Sequence, residues 1–414
     1  MRCLLHIGTE KTGTTLLQDW LYANREALSA QGVCLSDLMD VPNHRKLAAY
    51  FQSEPDDYHQ THRIVDAEAR AAFFAGFEQA LAQEIATLGE GHHTMVITSE
   101  HFHSRVDTPE AVAALRDFLD AHFDAVKVVC YFREQSDMLL SLYSTAMRVS
   151  HTTTMEEFQR EFLVPGAYYC DFEQVADLWA GAFGRDRCDF RLYDRGAFAD
   201  GDIRRDFIGC LFQPLDTQTL DFALERANEA LTAVEAALFR AINQAVPYWL
   251  DDDRGVSMRN LWFKYTLAEC EPLKVGRLGG ANTAAVIRRR FADSNRRFSE
   301  RYFDGRPLFE DAPETVPADE APQFSLDQVR TMLVALLEAM MAAQAQASLY
   351  DARQQAILQD ADADLLRDVA LKFETGAAVT VAEAERLLDL ANQARPDGQY
   401  IRQKLEEYRR LLRE

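Results

Sequence analysis

The chain has no run of about 18 apolar residues, the length a helix needs to cross a bilayer, so no membrane span is expected. It also lacks a basic surplus: 44 lysines and arginines stand against 66 aspartates and glutamates, a net charge of −22. Nonspecific nucleic-acid binding needs a basic face that neutralises phosphates, and this composition argues against that class. A highly sulfated polyanion is disfavoured as a partner on the same ground, although net charge does not describe a single cleft. Cysteine pairing is missing too. Cys3, Cys34, Cys130, Cys170, Cys188, Cys210 and Cys270 are scattered singly, with no CxxC, and the odd count of 7 leaves at least one unpaired. That is the usage of buried, reduced thiols in the cytoplasm rather than of a disulfide framework. The opening MRCLLHIGTEKTG has too short an apolar stretch for a signal-peptide core and reads as a first strand. A cytoplasmic location is the expectation.

What is present is an alternation of short apolar runs with stretches of helical period. Cys3–Ile7, Thr94–Thr98, Val126–Phe132 and Cys188–Tyr193 are near-continuous apolar runs, as expected of strands covered on both faces. Between them, one helix begins near Thr14 and buries Leu17, Leu21 and Leu28. A second, Asp66–Leu88, carries Phe73, Phe74, Phe77, Leu81, Ile85 and Leu88 at helical spacing. Thr108-Pro109-Glu110 is a helix start, a capping residue followed by proline. The expected fold class is α/β: a three-layer αβα arrangement with a mainly parallel central sheet and a P-loop-like strand–loop–helix, followed by C-terminal helices. The expected division is a domain over 1–304, an acidic proline-rich linker over 305–325 and a helical appendage over 326–414. Within the appendage, helices are read at Leu326–Tyr350, Val381–Ala394 and Tyr400–Leu412.

The strongest signal is His6-Ile-Gly-Thr-Glu-Lys-Thr-Gly-Thr-Thr15. A strand runs into a loop holding Gly8 and Gly13, and a helix starts at Thr14. A helix N-terminus leaves backbone N–H groups unpaired and carries partial positive charge, so it suits a phosphate or sulfonate. Lys11, Thr12, Gly13, Thr14 and Thr15 supply the charge, the turn and the donors. The spacing separates two kinds of enzyme. The nucleoside-triphosphate loop places lysine directly after its second glycine, whereas here Lys11 precedes Gly13 by two residues.

The order K-x-G-T-T after a short strand resembles the 5′-phosphosulfate loop of sulfotransferases that use 3′-phosphoadenosine 5′-phosphosulfate (PAPS). The resemblance implies an arginine at the end of a later strand and a serine eight residues on, together holding the donor's 3′-phosphate. Arg133, after Val126–Phe132, and Ser141 match, and a guanidinium fork suits a phosphate. Gln135 stands where the family often has proline. Weaker likenesses run to about residue 304: Ala23-Asn-Arg-Glu-Ala-Leu28, Pro42-Asn-His44, Thr98-Ser-Glu-His101, Phe172–Gly184, Arg226-Ala-Asn228 and Phe291-Ala-Asp-Ser-Asn295. The family's Arg-Lys-Gly loop has no match, and Lys274–Gly280 (KVGRLGG) is the candidate replacement.

Sulfuryl transfer needs a deprotonated acceptor, in-line approach and neutralisation of the leaving phosphate. Lys11 is the residue placed for the leaving oxygen. The general base stays open between Glu100, which follows a buried strand, and His101 or His44. No divalent metal is demanded, and His101 and His103 find no further ligand with convincing spacing. Glu10 is expected to face solvent or pair with a neighbouring cation, and Trp20 to be core. The expected donor is PAPS, leaving adenosine 3′,5′-bisphosphate. The expected acceptor is a hydroxyl of a carbohydrate or lipid-linked carbohydrate. The alternatives are a P-loop nucleotide kinase or hydrolase, and a non-catalytic nucleotide-binding protein acting through a protein partner or self-association of its C-terminal helices.

Overall fold

A computed structural model describes residues 1–224, 230–249, 257–312, 324–356, 366–368, 370–371, 380–395 and 398–413. Five parallel strands form one sheet: β1 (Arg2–His6), β2 (Val33–Leu35), β3 (Thr94–Thr98), β4 (Val126–Phe132) and β5 (Cys188–Leu192), in the order β2-β3-β1-β4-β5. β1 lies in the middle, its Leu4 opposite Val96 of β3 and Lys127 of β4. The chain leaves β1 toward one edge and later crosses to the other, so the ends of β3, β1 and β4 flank a topological switch point, where open α/β sheets bind ligands.

Alternation along the strands builds two apolar layers, because successive side chains point to opposite faces. Leu4, Val96, Val129 and Tyr131 face α1 (Thr14–Ala23), whose Leu17, Trp20 and Leu21 are buried against them. Trp20 is fully covered, as expected of a core residue, and its indole N–H donates to the Asp221 carbonyl at 2.7 Å. Cys3, Leu5, Met95, Ile97, Val128, Cys130 and Phe132 form the opposite face. Over that face pack residues of α2 (Ala67–Phe73), α3 (Phe77–Gly89), α4 (His101–Arg105), α5 (Pro109–His122), α6 (Gln135–Arg148), α7 (Phe172–Phe183) and a long helix at Ala281–Tyr302.

Several local expectations change. Leu28 is buried, yet it sits on a separate short helix, Arg25–Ser29, after the break at Asn24. The single helix expected over Asp66–Leu88 is two, α2 and α3, because Gly76 caps α3 in the left-handed region at φ 72°. Gln135 anchors α6: its side-chain amide exchanges hydrogen bonds of 2.7 and 3.0 Å with Asn295 of the Ala281–Tyr302 helix.

The chain divides into two compact units, Met1–Ala241 with Lys274–Gln323, and Ile242–Leu273 with Phe324–Glu414. The boundary differs from the one read in the sequence, since 242–273 clusters with the C-terminal helices. The reason is packing within that unit: α8 (Met258–Ala268) lies along α10 (Leu326–Ala356), and the Cys270 thiol reaches the Ala335 carbonyl. With α9 assigned to Ala281–Tyr302, the last two helices are α11 (Val381–Ala394) and α12 (Gln399–Leu411). These share a small core of Ala384, Leu388, Ile401, Leu405 and Tyr408. α10 exposes Leu326, Leu333, Leu337 and Met341. Most of the acidic proline-rich stretch, 313–323, and the Arg226-Ala-Asn228 likeness lie outside the described residues, as do 396–397 of the turn between α11 and α12.

Candidate functional site

The carboxyl ends of β1, β3, β4 and β5 open on a cavity of about 700 Å³ in the first unit. The loop after β1 forms its floor. Gly13 holds φ 72° at the N-terminal cap of α1 with no side-chain cap, so the first N–H groups of the helix stay available. A β-carbon at Gly13 would lie 3.1 Å from the Tyr193 hydroxyl, so φ favours glycine and the space for a side chain is tight. Lys11 is also left-handed, at φ 67°. Arg133, just past β4, donates from Nη1 to the Lys11 carbonyl at 3.0 Å and lies 5.7 Å from the Tyr193 ring centroid. One arginine thus ties the loop to the neighbouring strand end.

Of the residues singled out in the sequence, Lys11, Gly13, Thr14, Thr15, Glu100, Arg133 and Ser141 line this cavity together. Thr12 does not. It is fully buried and its hydroxyl donates to the Thr9 carbonyl at 2.5 Å, so it shapes the loop from within. His44 is likewise away from the cavity. Its Nδ1 accepts the Thr98 N–H at 3.0 Å, while the Tyr22 hydroxyl donates to the Ser36 carbonyl at 2.5 Å. His44 Nε2–H is therefore the donor in its 2.7 Å contact with Tyr22, and no lone pair is left for a substrate. Burial pushes His44 down to about 4. His101 is also pushed down to about 4, first by burial and then by Arg45, and does not line the cavity.

Glu100 does line it, at the entrance to α4. Gln18 and Asn43 both donate to its Oε2, at 2.8 and 3.1 Å, and the Ser99 hydroxyl fixes Asn43 at 2.6 Å. Burial raises the Glu100 carboxyl above its ordinary range, against the Gln18 hydrogen bond. Lys11 moves down, because burial outweighs the attraction of Glu10 and Glu100.

Glu10 is half-buried, beside the Ser104 and Tyr169 hydroxyls and the rings of His101 and His103, and the Lys11 and Arg105 cations feel its charge, in line with the neighbouring cation expected for it. Burial would raise it, but those hydroxyls and rings together hold its carboxyl below the usual range.

The sequence reading missed several cavity residues. Arg148 lines the wall one face along α6 from Ser141, and its Nη1 donates to the Ser144 hydroxyl at 2.7 Å. Positions 141, 144, 145 and 148 recur at helical spacing, and that signal would have found it. Thr232 and Asp19 complete the polar lining. Gly276, Arg277 and Leu278, from the KVGRLGG segment, close one side. Their backbone is pinned there by Ala233 N–H donating to the Gly276 carbonyl at 3.1 Å.

Four cations, Lys11, Arg133, Arg148 and Arg277, therefore meet at one cavity in a chain of strong net negative charge. With uncapped helix amides beside them, the arrangement suits an anionic ligand.

No family model matches the chain. An uncharacterized protein of Archaeoglobus fulgidus is 27% identical over 150 residues, which are 36% of this chain and 38% of that protein. The chain thus matches little more than a third of that relative's length. Among solved structures, a sulfotransferase from Alicyclobacillus acidocaldarius is similar at 19% identity and a TM-score of 0.33, over 58% of this chain and 92% of that one.

Proposed function

We propose that the protein is a sulfotransferase that moves a sulfuryl group from PAPS to a hydroxyl, with a carbohydrate or lipid-linked carbohydrate as acceptor. One observation supports the reading: Lys11 and the open α1 N-terminus line the same cavity as three further cations, Arg133, Arg148 and Arg277, which suit a second phosphate. A donor with phosphates at its 5′ and 3′ positions meets both. Arg133, Ser141 and Arg277 would hold the 3′-phosphate. The α1 amides, Thr14 and Thr15 would hold the 5′ side.

Glu100 serves as general base. Its raised carboxyl favours taking a proton, and Gln18 and Asn43 orient it through one oxygen. As the acceptor O–H passes its proton to Glu100, the acceptor oxygen bonds to sulfur and the bond from sulfur to the bridging oxygen breaks. Lys11 neutralises the electron pair left on that oxygen. His44 and His101 play no part in this step.

The test is transfer of ³⁵S from labelled PAPS to glycan and glycolipid acceptors, with Lys11→Ala beside the wild type. The variant is expected to lose transfer by about a hundredfold or more, the scale of one electrostatic contact in a closed site, while still folding. A wild-type protein that is stabilised by Mg-ATP alone and never by adenosine 3′,5′-bisphosphate would return the reading to a nucleotide kinase.

A further inference from the structure

Just before the short helix Arg45–Phe51, the chain meets the carboxyl end of β3 in a line of hydrogen bonds that ends on Glu100. The His44 N–H donates to the Thr98 carbonyl, and the Thr98 N–H donates to His44 Nδ1, each at 3.0 Å. Both backbone groups of the last residue of β3 are thereby engaged by one residue. From the far side of the ring, Nε2–H donates to the Tyr22 hydroxyl at 2.7 Å, and that hydroxyl donates to the Ser36 carbonyl at 2.5 Å. The imidazole is fully buried, so its tautomer and its orientation are fixed at both nitrogens. One residue away along each segment, the Ser99 hydroxyl donates to Asn43 Oδ1 at 2.6 Å. With its oxygen so used, the amide turns its nitrogen outward, and Nδ2 donates to Glu100 Oε2 at 3.1 Å. Gln18 of α1 donates to the same oxygen at 2.8 Å. Among the described residues, Oε1 accepts from no other side chain. Glu100 lines the cavity, whereas Asn43, His44 and Ser99 stand behind it.

Resting on the sulfotransferase reading, we infer that Asn43 is a positioning residue: clamped by Ser99 and by the His44–Thr98 pairing, it holds Glu100 through Oε2 and leaves Oε1 to take the acceptor's proton. His44 moves no proton itself. It sets the 43–44 segment in register with the end of β3, and Asn43 passes that register on to the carboxylate. A donor on Oε2 favours the ionised carboxylate, the form able to accept a proton. Two donors on one oxygen also keep the group in place while the acceptor arrives. Gln18 adds a link to the donor site. It lies four residues after Thr14 on α1, on one face, so the helix that receives the donor's anion also steadies the base.

Three variants test this in ³⁵S transfer from labelled PAPS to a glycan, a glycolipid or water, with calorimetric titration of adenosine 3′,5′-bisphosphate alongside. Asn43→Asp keeps the shape and the Ser99 hydrogen bond but turns the donor facing Glu100 into an acceptor. Its kcat is expected to fall by about tenfold to a hundredfold, the scale of a misplaced reacting group. The low-pH limb of its kcat/KM profile, which reports the base, is expected to move up by about one pH unit, the size of a single near charge. Asn43→Ala removes the donor without adding charge. It is expected to lower kcat while leaving nucleotide affinity at the wild-type value, since residue 43 does not line the cavity. Ser99→Ala loosens the amide without touching the Glu100 side chain, and should shift kcat and the limb in the same directions by less. An unmoved limb in folded Asn43→Asp overturns the inference, and if neither variant at position 43 folds, an unmoved limb in Ser99→Ala does so. Lost nucleotide affinity in folded Asn43→Ala also overturns it, because Asn43 would then serve the donor. A wild type that moves label to none of these acceptors defeats the sulfotransferase reading itself, a distinct result.

Discussion

At the scale of single residues, Arg133 has two tasks that a mutation can separate. Its fork donates to the Lys11 carbonyl, and its charge faces the cavity. Arg133→Lys keeps the charge and loses the fork. Affinity for adenosine 3′,5′-bisphosphate is expected to drop by about tenfold to a hundredfold, the worth of one to two charged hydrogen bonds. Adenosine 5′-monophosphate, which lacks the 3′-phosphate, should change much less in the same calorimeter. Asp56 is a structural counterpart. Arg45 and Arg105 both donate to it, and Arg45 leads the groups that hold its carboxyl well below the carboxylate range despite burial. A depressed carboxyl contributes stability above its unfolded value near pH 4, and that stability is lost as pH falls below it. Asp56→Asn is expected to cost about 2 kcal/mol near neutral pH, below the figure for a fully buried pair because the site is partly open to solvent. The deficit should shrink in denaturant melts at about pH 3.

Among the elements, the central strands were legible because burial on both faces leaves a continuous apolar run; Thr94–Thr98 and Val126–Phe132 are strands with those same ends. β2 was not, since three residues carry no period. The break between α2 and α3 was masked by apolar residues that continue across it, Phe74 and Phe77 both being buried. For the cavity, the loop was readable as spacing along the chain, whereas the α6 serine was named only through the family resemblance; both line the cavity. Asn43 and Gln18 were not readable, because their roles come from α4, the Asn43 segment and α1 meeting in space. The loop itself makes a sharp prediction. Gly13→Ala puts a β-carbon in the left-handed region and against Tyr193, a strain of about 1–2 kcal/mol. Since Tyr193 also lies against Arg133, nucleotide affinity should fall together with melting temperature.

For the molecule as a whole, division into two compact units means that heat need not unfold the chain in one step. A calorimetric scan is expected to show two transitions. Adenosine 3′,5′-bisphosphate at about a hundred times its Kd should stabilise only the one belonging to the loop-bearing unit, by about 2.7 kcal/mol. A uniform shift of both would mean that the units melt as one.

The distribution of thiols has a practical consequence. Cys3, Cys34, Cys130, Cys170, Cys188 and Cys210 are buried, whereas Cys270 is partly exposed and sits in the second unit. A maleimide dye added to the native protein should therefore settle on one sulfur, with no engineered cysteine. That single fluorophore would report the melting of the second unit alone, while nucleotide protects the first.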